Sequence, residues 1–440
     1  MTHSLSRTLR LIGAVASFSL AATAQATDLT IQGSNTVGAA LAPMLVTGFL
    51  EQSGATVQSR STSVENERQI LGQTDQRTTT VLVAAHGSST GYKAMAANNA
   101  DIWAASRPVK AKEVAAFSDV ADLTSPDNEH VIAIDGLAIL VHPSNPIDQV
   151  SIDTLARIFS GKITNWSELG GPDRPIHVYA RDNRSGTWDT FHSLVLGEDN
   201  DLVASARRYE SNDRLSDDVS RDPSGIGFSG LASVRNSKLL AVSDGDAPAM
   251  KPSQLTVASE DYPLSRRLFM YTPGDRTTPM ARALVAFAQS AEGQAIVPKA
   301  GFISQNPIAV KPALDASVPE SFRTLTGHYR RLTVNFRFSE GRTRLDNKAR
   351  RDLLRVRDYL TREGRSADEL LLIGFADRQS HELRAQMISE LRALSVRKAL
   401  NEIGVPQVAY TGYGQYMPVG GAGSPRNGRV EVWIRDPVLE

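Results

Sequence analysis

Three clusters of hydroxyl residues and glycine stand where an extended segment gives way to a helix-like segment. The clusters are Ser34-Asn35-Thr36, Ser88-Ser89-Thr90-Gly91 and Ser185-Gly186-Thr187. The start of a helix leaves backbone N–H groups without partners and carries partial positive charge, and nearby hydroxyl groups add donors. One such cluster would be an ordinary helix cap. Three clusters directed at one point, with Arg181 four residues before Ser185, predict a site for an oxyanion such as phosphate.

The elements that must position these clusters alternate between strand and helix over residues 28–304. The apolar run Val131 to Val141 predicts a long strand, and the run Ile176 to Ala180 predicts a strand that ends just before Arg181. This alternation predicts an α/β fold in which helices cover the sheets. The polar stretch Ser63 to Thr79 predicts an insertion or a mobile loop.

The first 26 residues have the pattern of a secretory signal peptide. Arg7 and Arg10 precede a short apolar run from Leu11 to Ala22, and Ala24-Gln25-Ala26 fits a small-residue cleavage site. The alternative is a buried or membrane-spanning helix, but the apolar run is too short to cross a bilayer. Removal of residues 1–26 leaves 46 basic residues against 48 acidic residues. That balance gives no support to a nucleic-acid partner.

Cysteine is absent from the chain. Disulfides, thiolate chemistry, cysteine metal sites and an N-terminal lipid anchor on cysteine are therefore excluded. An exported protein without cysteine fits a bacterial periplasm. The histidines are scattered, and no His/Asp metal cluster or nucleophile elbow is visible, so the sequence predicts no catalytic residue, no metal and no cofactor.

A change of composition divides the chain into two domains. Residues 305–330 contain Pro307, Pro312 and Pro319 and predict a linker. Residues 331–440 then follow a β-α-β-α-β pattern, which predicts a small α+β sandwich with helices on one face of a sheet. The long helices are expected at Leu345 to Leu360 and at His381 to Ile403, from their apolar and charged periodicity.

Residues 27–304 resemble the periplasmic phosphate-binding proteins of ABC importers, the class 2 periplasmic binding proteins. The motifs that carry this resemblance are Gly33-Ser34-Asn35-Thr36-Val37-Gly38, Gly87-Ser88-Ser89-Thr90-Gly91-Tyr92-Lys93-Ala94-Met95, Ala105-Ser106-Arg107-Pro108, Ile158-Phe159-Ser160-Gly161-Lys162-Ile163-Thr164-Asn165-Trp166, Arg181-Asp182-Asn183-Arg184-Ser185-Gly186-Thr187, Tyr262-Pro263-Leu264-Ser265-Arg266 and Ser290-Ala291-Glu292-Gly293-Gln294. The resemblance implies two α/β lobes joined by a hinge, with an anion enclosed between them.

The same resemblance implies which residues would hold the anion. They are Ser34, Asn35, Thr36, Ser88, Ser89, Ser106, Arg107, Arg181, Ser185, Gly186 and Thr187. Many family members carry an aspartate where this chain has Ser106-Arg107, and that aspartate accepts a hydrogen bond from a protonated phosphate oxygen. Its absence leaves the selectivity among phosphate, sulfate, arsenate and vanadate open. The alternative for Arg107 is a surface or lobe-bridging role, and for Arg181 a salt bridge with Asp182 or Asp189.

Residues 331–436 resemble the OmpA-like peptidoglycan-binding domain. The motifs are Gly374-Phe375-Ala376-Asp377, Ile388-Ser389-Glu390-Leu391-Arg392-Ala393, Gly412-Tyr413-Gly414 and Asn427-Gly428-Arg429-Val430-Glu431. By this resemblance Asp377 and Arg392 would clamp the diaminopimelate of the stem peptide, with Asn427 and Arg429 lining the same pocket. The departures from the family pattern are Phe375, Ala376, Ala385 and Gly428. The alternative is that Asp377 and Arg392 only pair with each other.

The two resemblances together predict a non-enzymatic binding protein of the periplasm, associated with the cell wall or outer membrane after cleavage of the signal peptide. The first domain would capture phosphate or a related tetrahedral oxyanion for uptake, storage or sensing, with an ABC permease as a further partner. The second domain would tether the protein to peptidoglycan. The alternatives are an envelope structural or adhesion protein with a vestigial ligand site and, third, a phosphatase.

Overall fold

The structure is a computed structural model that describes residues 27–183, 185–314, 318–338 and 344–437. The expected signal peptide lies outside the described residues. A large α/β domain comes first, and a smaller domain with one sheet and two long helices follows it.

The first domain contains strands and helices in alternation, as the sequence predicts. Its strands are β1 (Leu29–Gly33), β2 (Thr56–Ser61), β3 (Glu67–Gln73), β4 (Thr78–Ala84), β5 (Ile102–Ala105), β6 (Glu129–Val141), β7 (Gln149–Ser151), β8 (His177–Arg181), β9 (Arg207–Tyr209), β10 (Gly225–Gly230), β11 (Lys238–Leu239), β12 (Ala241–Ser243) and β13 (Ser265–Tyr271). Its α-helices are α1 (Ala42–Gln52), α2 (Ser88–Ala96), α3 (Ala111–Phe117), α4 (Ile152–Phe159), α5 (Gly186–Phe191), α6 (Asn212–Val219), α7 (Gln254–Ala258), α8 (Pro279–Gln289) and α9 (Ala291–Ile296).

Strand β6 joins the two lobes of this domain. It is 13 residues long, and its apolar, β-branched composition suits a strand that is buried on both faces. Its first half pairs with β13, up to the register Ser265 opposite Gly136. Its second half pairs with β10, from Gly230 opposite Leu137 onward. The first lobe is therefore built on β1–β5 and β13, and the second lobe on β8–β11, with β6 passing between them.

The expectation of an insertion or loop over Ser63 to Thr79 is wrong. This stretch contains β3, which pairs antiparallel with β2 on one side and with β4 on the other. Within β3 Ile70 is buried, whereas Glu67, Gln69 and Gln73 are partly or fully exposed. A strand near the edge of a sheet can keep one face in water, so its composition stays polar and hides it from a pattern search.

The C-terminal domain is a five-stranded sheet with two long helices against it. Its elements are β14 (Ala309–Val310), α10 (Glu320–Thr326), β15 (Tyr329–Arg337), α11 (Asn347–Arg362), β16 (Leu370–Gly374), α12 (Glu382–Glu402), β17 (Ala409–Gly412) and β18 (Arg429–Arg435). The strand order is β14-β15-β18-β16-β17. The predicted β-α-β-α-β pattern is present, with β17 and the short β14 in addition.

The segment predicted as a linker packs against the C-terminal domain. Strand β14 adds to the sheet edge beside β15. Helix α10 covers the opposite sheet face, where Phe322 is buried against Phe375 and Trp433. The prolines of this segment are compatible with the packing, because proline fits sheet edges and helix starts.

A buried charge cluster joins the two domains. Asp261, just before β13, accepts hydrogen bonds from Arg331 Nη2 at 2.6 Å, from Asn335 Nδ2 at 2.8 Å and from Arg337 Nη2 at 3.0 Å. Burial alone would raise the pKa of Asp261, but Arg331, Arg429 and Arg337 outweigh it and hold that pKa well below its usual range. The carboxylate is therefore ionised and fully hydrogen-bonded where the domains meet.

Among the described helices, none has the length and apolar character to cross a bilayer.

Candidate functional site

The first two clusters lie side by side in the first lobe. The parallel pairing of β1 with β5 brings the ends of these strands together. Ser34 follows β1 and is buried, and its Oγ has no hydrogen-bond partner among the described residues. Ser88 begins α2, and its Oγ accepts the Ser106 N–H at 3.1 Å and lies 3.3 Å from Ser106 Oγ. The start of a helix and two strand ends thus meet at one point.

The third cluster belongs to the second lobe. Arg181 is the last residue of β8, and Ser185 caps α5 by accepting the N–H groups of Thr187 and Trp188. The Arg181 guanidinium is held by the backbone carbonyls of Tyr209 and Glu210, at 3.1 and 2.5 Å, and reaches Thr187 Oγ1 at 3.4 Å. Burial lowers the pKa of Arg181, which shows a cation drawn into a poorly solvated place. No ion pair of Arg181 with Asp189 is found within the described residues.

The two lobes touch where the first and third clusters meet. A Cβ added to Gly186 would lie 1.3 Å from Thr36 Oγ1 and 2.5 Å from its Cβ. Glycine is therefore required at this position for the lobes to approach so closely. The contact brings the start of α5 against the helical segment Val37–Leu41 that precedes α1, so it joins the first and third of the three clusters that the sequence predicts to converge.

Arg266 is a site residue that sequence reasoning missed. Its Nη2 donates to Thr36 Oγ1 at 3.0 Å and to the Gly186 carbonyl at 2.6 Å, and its Nη1 donates to the Ser106 carbonyl at 3.2 Å. It also forms a buried ion pair with Asp135 at 3.1 Å. One guanidinium thus touches residues of both lobes. The available signal was its place at the end of the Tyr262 to Arg266 motif of the resemblance.

Two adjoining cavities contain the predicted anion site. One, of about 330 Å³, is lined by predicted residues from both lobes, namely Asn35, Thr36, Arg181, Ser185, Gly186 and Thr187. The other, of about 350 Å³, is lined by Ser88, Ser89, Ser106 and Arg107 with Asp189 and Arg266. Thr36 and Gly186 line the first cavity, and both accept a hydrogen bond from Arg266, which lines the second. Burial raises the pKa of Asp189, while Arg266, His192 and Arg107 oppose that rise.

Arg107 is engaged within its own lobe. Its Nη1 and Nη2 donate to the two carboxylate oxygens of Glu113 at 2.8 and 2.7 Å, and Nη2 reaches Ser89 Oγ at 3.4 Å. Burial would raise the pKa of Glu113, but its bonds to Arg107 and to the Lys110 backbone lower it. The charge of Arg107 is therefore compensated locally, and the guanidinium orients Ser89 at the cavity.

In the C-terminal domain, the structure brings Asp377, Arg392 and Asn427 together. Asp377 accepts hydrogen bonds from Asn427 Nδ2 and from the Gly423 N–H, both at 2.8 Å. Arg392 donates to the Phe375 carbonyl at 3.0 Å, and burial lowers its pKa while Asp377 opposes that effect. The two side chains form no ion pair among the described residues, which disfavours the alternative that they simply pair. The Asp377 carboxylate and the Arg392 guanidinium are both partly exposed and form no ion pair with each other, so both are available to a ligand.

Arg429 lies elsewhere than the resemblance implies. Its guanidinium is 2% exposed, donates to Glu431 Oε1 at 2.8 Å and lies 3.8 Å from Asp261. Two carboxylates and the ring of Phe375 thus hold it inside the contact between the domains. The space beside Asn427 is filled instead by Arg392, because a Cβ on Gly428 would lie 2.7 Å from Arg392 Nη1.

Comparison with known proteins agrees with this geometry. Residues 20–292 match the family described as PBP superfamily domain, and residues 337–429 match the OmpA family. The first match spans more than half of the chain, which therefore belongs to the PBP superfamily. It is followed by an OmpA family domain.

Relatives of known name include the protein SphX of Synechococcus elongatus, 35% identical over 207 residues, which cover 43% of this chain and 59% of SphX. The phosphate-binding protein PstS of Borreliella burgdorferi is 27% identical over 231 residues, or 51% of this chain and 80% of that protein. A solved ABC-type phosphate transport receptor from Vibrio cholerae superimposes with a TM-score of 0.50 at 26% identity, covering 63% of this chain and 99% of the receptor.

Proposed function

We propose that this protein binds inorganic phosphate, or a related tetrahedral oxyanion, between its two lobes. The names of the Borreliella and Vibrio relatives point to phosphate. The observation that carries the proposal is that the first and third clusters line one cavity together with Arg181, while the second cluster lines another with Arg266, whose guanidinium also touches Thr36 and Gly186. A dehydrated anion needs a donor for every oxygen, and hydroxyls, helix-start N–H groups and arginine forks are such donors.

The C-terminal domain supports a second part of the proposal, attachment to peptidoglycan. Asp377 and Arg392 present one anion and one cation at a fixed separation, which suits the zwitterionic end of diaminopimelate. Asn427 orients the Asp377 carboxylate. Arg429 is buried where the domains meet and is not part of the proposed pocket. We place the domain boundaries at residues 27–304 and 331–440, and the protein in the periplasm, bound to the cell wall or outer membrane.

The protein acts as a binding protein rather than as an enzyme in this proposal, since the named relatives are binding proteins and transport receptors. Captured phosphate would serve uptake through an ABC permease, local storage or sensing. The competing hypothesis is an envelope structural protein whose ligand site is vestigial. A phosphatase is the third hypothesis, and it predicts turnover of a chromogenic phosphate ester, which a binding protein lacks.

Calorimetric titration of residues 27–440 with phosphate, sulfate and vanadate tests the anion site. We expect saturable phosphate binding, and Arg181→Ala to weaken it by roughly 100-fold or more, because a buried charge contact to the ligand is lost. Arg221→Ala is the matched control. Arg221 lies in the same lobe, is 74% exposed and pairs with Asp218, so its loss should leave the dissociation constant unchanged.

The outcomes separate the hypotheses. Absence of binding heat with all three anions would favour the structural hypothesis. Phosphate binding of equal strength in wild type and Arg181→Ala would place the anion site outside the cleft.

A further inference from the structure

A third cavity lies at the contact between the two domains, away from the cleft. Its volume is about 410 Å³. One wall comes from the first lobe, including the start of β6, and the other wall comes from the first turns of α11. The cavity therefore exists only because the C-terminal domain packs on the first lobe.

Basic side chains dominate the lining of this cavity. Arg282 stands on α8 of the first lobe, whereas Lys348, Arg350, Arg351 and Arg355 stand on α11. Arg282, Arg350 and Arg351 form no ion pair with any carboxylate in the described part of the chain. Burial lowers the pKa of Arg351, and the neighbouring charge of Arg355 lowers it further. Lys348 and Arg355 each pair with Asp352 at 2.7 Å, so Arg282, Arg350 and Arg351 are the cations of the lining that remain uncompensated among the described residues.

Three of the five N–H donors of Arg355 have no acceptor among the described residues. Its side chain is 6% exposed. Nη1 donates to Asp352 at 2.7 Å and to Gln305 Oε1 at 3.0 Å, but Nε and Nη2 have no partner among the described residues. Nε and Nη2 are the two parallel donors that bind a carboxylate or phosphate side-on. Buried donors without acceptors are unfavourable, so an anion at this place would be stabilised.

The acidic groups at the cavity do not supply that anion. Both oxygens of Glu129 are occupied, by Asn347 Nδ2 at 3.0 Å and Tyr271 Oη at 3.1 Å. Burial raises the pKa of Glu129, although these hydrogen bonds oppose the rise. Asp127 is the other carboxylate in the lining. Because Asp352 already pairs with Lys348 and Arg355, the excess positive charge rests on Arg282, Arg350 and Arg351. Burial holds the pKa of His130 at about 4, which keeps its ring neutral at pH 7.

The position of the cations on α11 makes an anion still more favourable. Lys348, Arg350 and Arg351 lie in the first turns of this 16-residue helix, which Asp346 caps. Cations near a helix start oppose the helix dipole, and an anion there is favoured by the dipole and by the side chains alike. Arg351 and Arg355 are four residues apart, or about 6 Å along the helix, so they can hold different groups of one ligand.

We propose that this cavity binds an anion with two or more phosphate groups, such as pyrophosphate, between Arg282 and the helix cations. A cavity of this volume exceeds the need of one tetrahedral ion, and its cations are spread over two walls. The ligand would connect α8 to α11 and so strengthen the contact between the domains. Inorganic chains and sugar bisphosphates share this chemistry.

Calorimetry in the Arg181→Ala background isolates this site from the cleft. We expect pyrophosphate to bind that variant at least tenfold more tightly than orthophosphate does. Adding Arg282→Gln and Arg351→Gln to this variant should weaken pyrophosphate binding at least tenfold. The same two substitutions in the protein that keeps Arg181 should leave orthophosphate binding in the cleft unchanged. Arg357→Gln is the matched control on α11, since Arg357 is 44% exposed and pairs with Asp358. Thermal melting without ligand checks that each variant folds.

Tripolyphosphate and fructose 1,6-bisphosphate, titrated in parallel, distinguish inorganic chains from phosphate esters, and tight binding of either class supports the site. The proposal is overturned if Arg181→Ala shows no pyrophosphate binding. It is also overturned if the two glutamine substitutions leave the affinity within twofold, or if sulfate binds as tightly as pyrophosphate.

Discussion

At the scale of single residues, two buried arginines and one glycine define the cleft. Arg181 enters from the second lobe and Arg266 from the strand beside the crossover, and Gly186 allows the lobes to touch. Arg181 could be selected from the sequence because it precedes a Ser-Gly-Thr cluster. The sequence placed Arg266 in a motif but could not show its role, because its contact with Thr36 joins positions 230 residues apart. Only the folded chain brings such pairs together.

Replacement of Gly186 by alanine should prevent lobe closure. The new Cβ would fall 1.3 Å from Thr36 Oγ1, so the lobes would have to separate and the anion would lose one set of donors. We expect phosphate affinity to fall roughly 100-fold with little change in melting temperature, since opening the cleft leaves each core intact. Gly230→Ala is the control at the rim of the same cavity, where the nearest atom lies 3.9 Å away. Equal affinity in Gly186→Ala would contradict the role of closure.

At the scale of elements, strong periodicity was predictable and context-dependent pairing was not. The pattern predicted α11 and α12 to within a few residues, and β6 as one long strand. The pattern did not predict β3, because one face of that strand is polar. It also did not predict β14, which is two residues long and forms only by pairing with β15. Short strands depend on a neighbour for their hydrogen bonds, and a local pattern carries no record of that neighbour.

Helix α12 and the loop between β16 and α12 should carry wall binding. We expect Asp377→Asn combined with Arg392→Ala to release the protein from purified peptidoglycan in a sedimentation assay, because both charges offered to the ligand are lost. Arg397→Ala removes one charge from the same helix, where it lies over Tyr410, and should leave sedimentation unchanged. Phosphate binding should be normal in all variants. Full retention of the double variant on the wall would refute the pocket.

At the scale of the whole molecule, the C-terminal domain contacts both lobes. It contacts the first lobe through Asn347 and Glu129 at 3.0 Å, and the second lobe through the pair of Arg378 with Asp246 at 2.8 Å. At the crossover between the lobes, Glu260 pairs with Arg267 at 2.5 Å. Burial would raise the pKa of Glu260, but Arg267, Lys348 and Arg337 lower it to about 2. The docked arrangement thus depends on buried charge pairs.

The depressed pKa of Glu260 predicts a particular dependence of stability on pH. The ionised group stabilises the folded state fully above its usual pKa, and that contribution is lost as the pH falls from about 4.5 to about 2. The loss should reach roughly 3 kcal/mol of unfolding free energy, measured by denaturant titration at each pH. Glu260→Gln should be less stable than wild type at pH 7, and the two curves should converge near pH 2. The exposed Glu402→Gln should run parallel to wild type, and a parallel Glu260→Gln would contradict the assignment.

The sequence by itself, through local patterns and the resemblance they carry, led to the two-domain plan, the lobed α/β fold and most residues of the proposed anion site, because clusters at strand ends and helix starts are local features. It also led to Asp377, Arg392 and Asn427, since their spacing lies within recognisable motifs. Only the tertiary structure revealed Arg266 in the cleft, Arg429 buried against Asp261, and the basic cavity between α8 and α11. These features arise where the packed domains enclose charged residues that are distant in the sequence. Burial shifts the pKa of each such group only once the chain has folded.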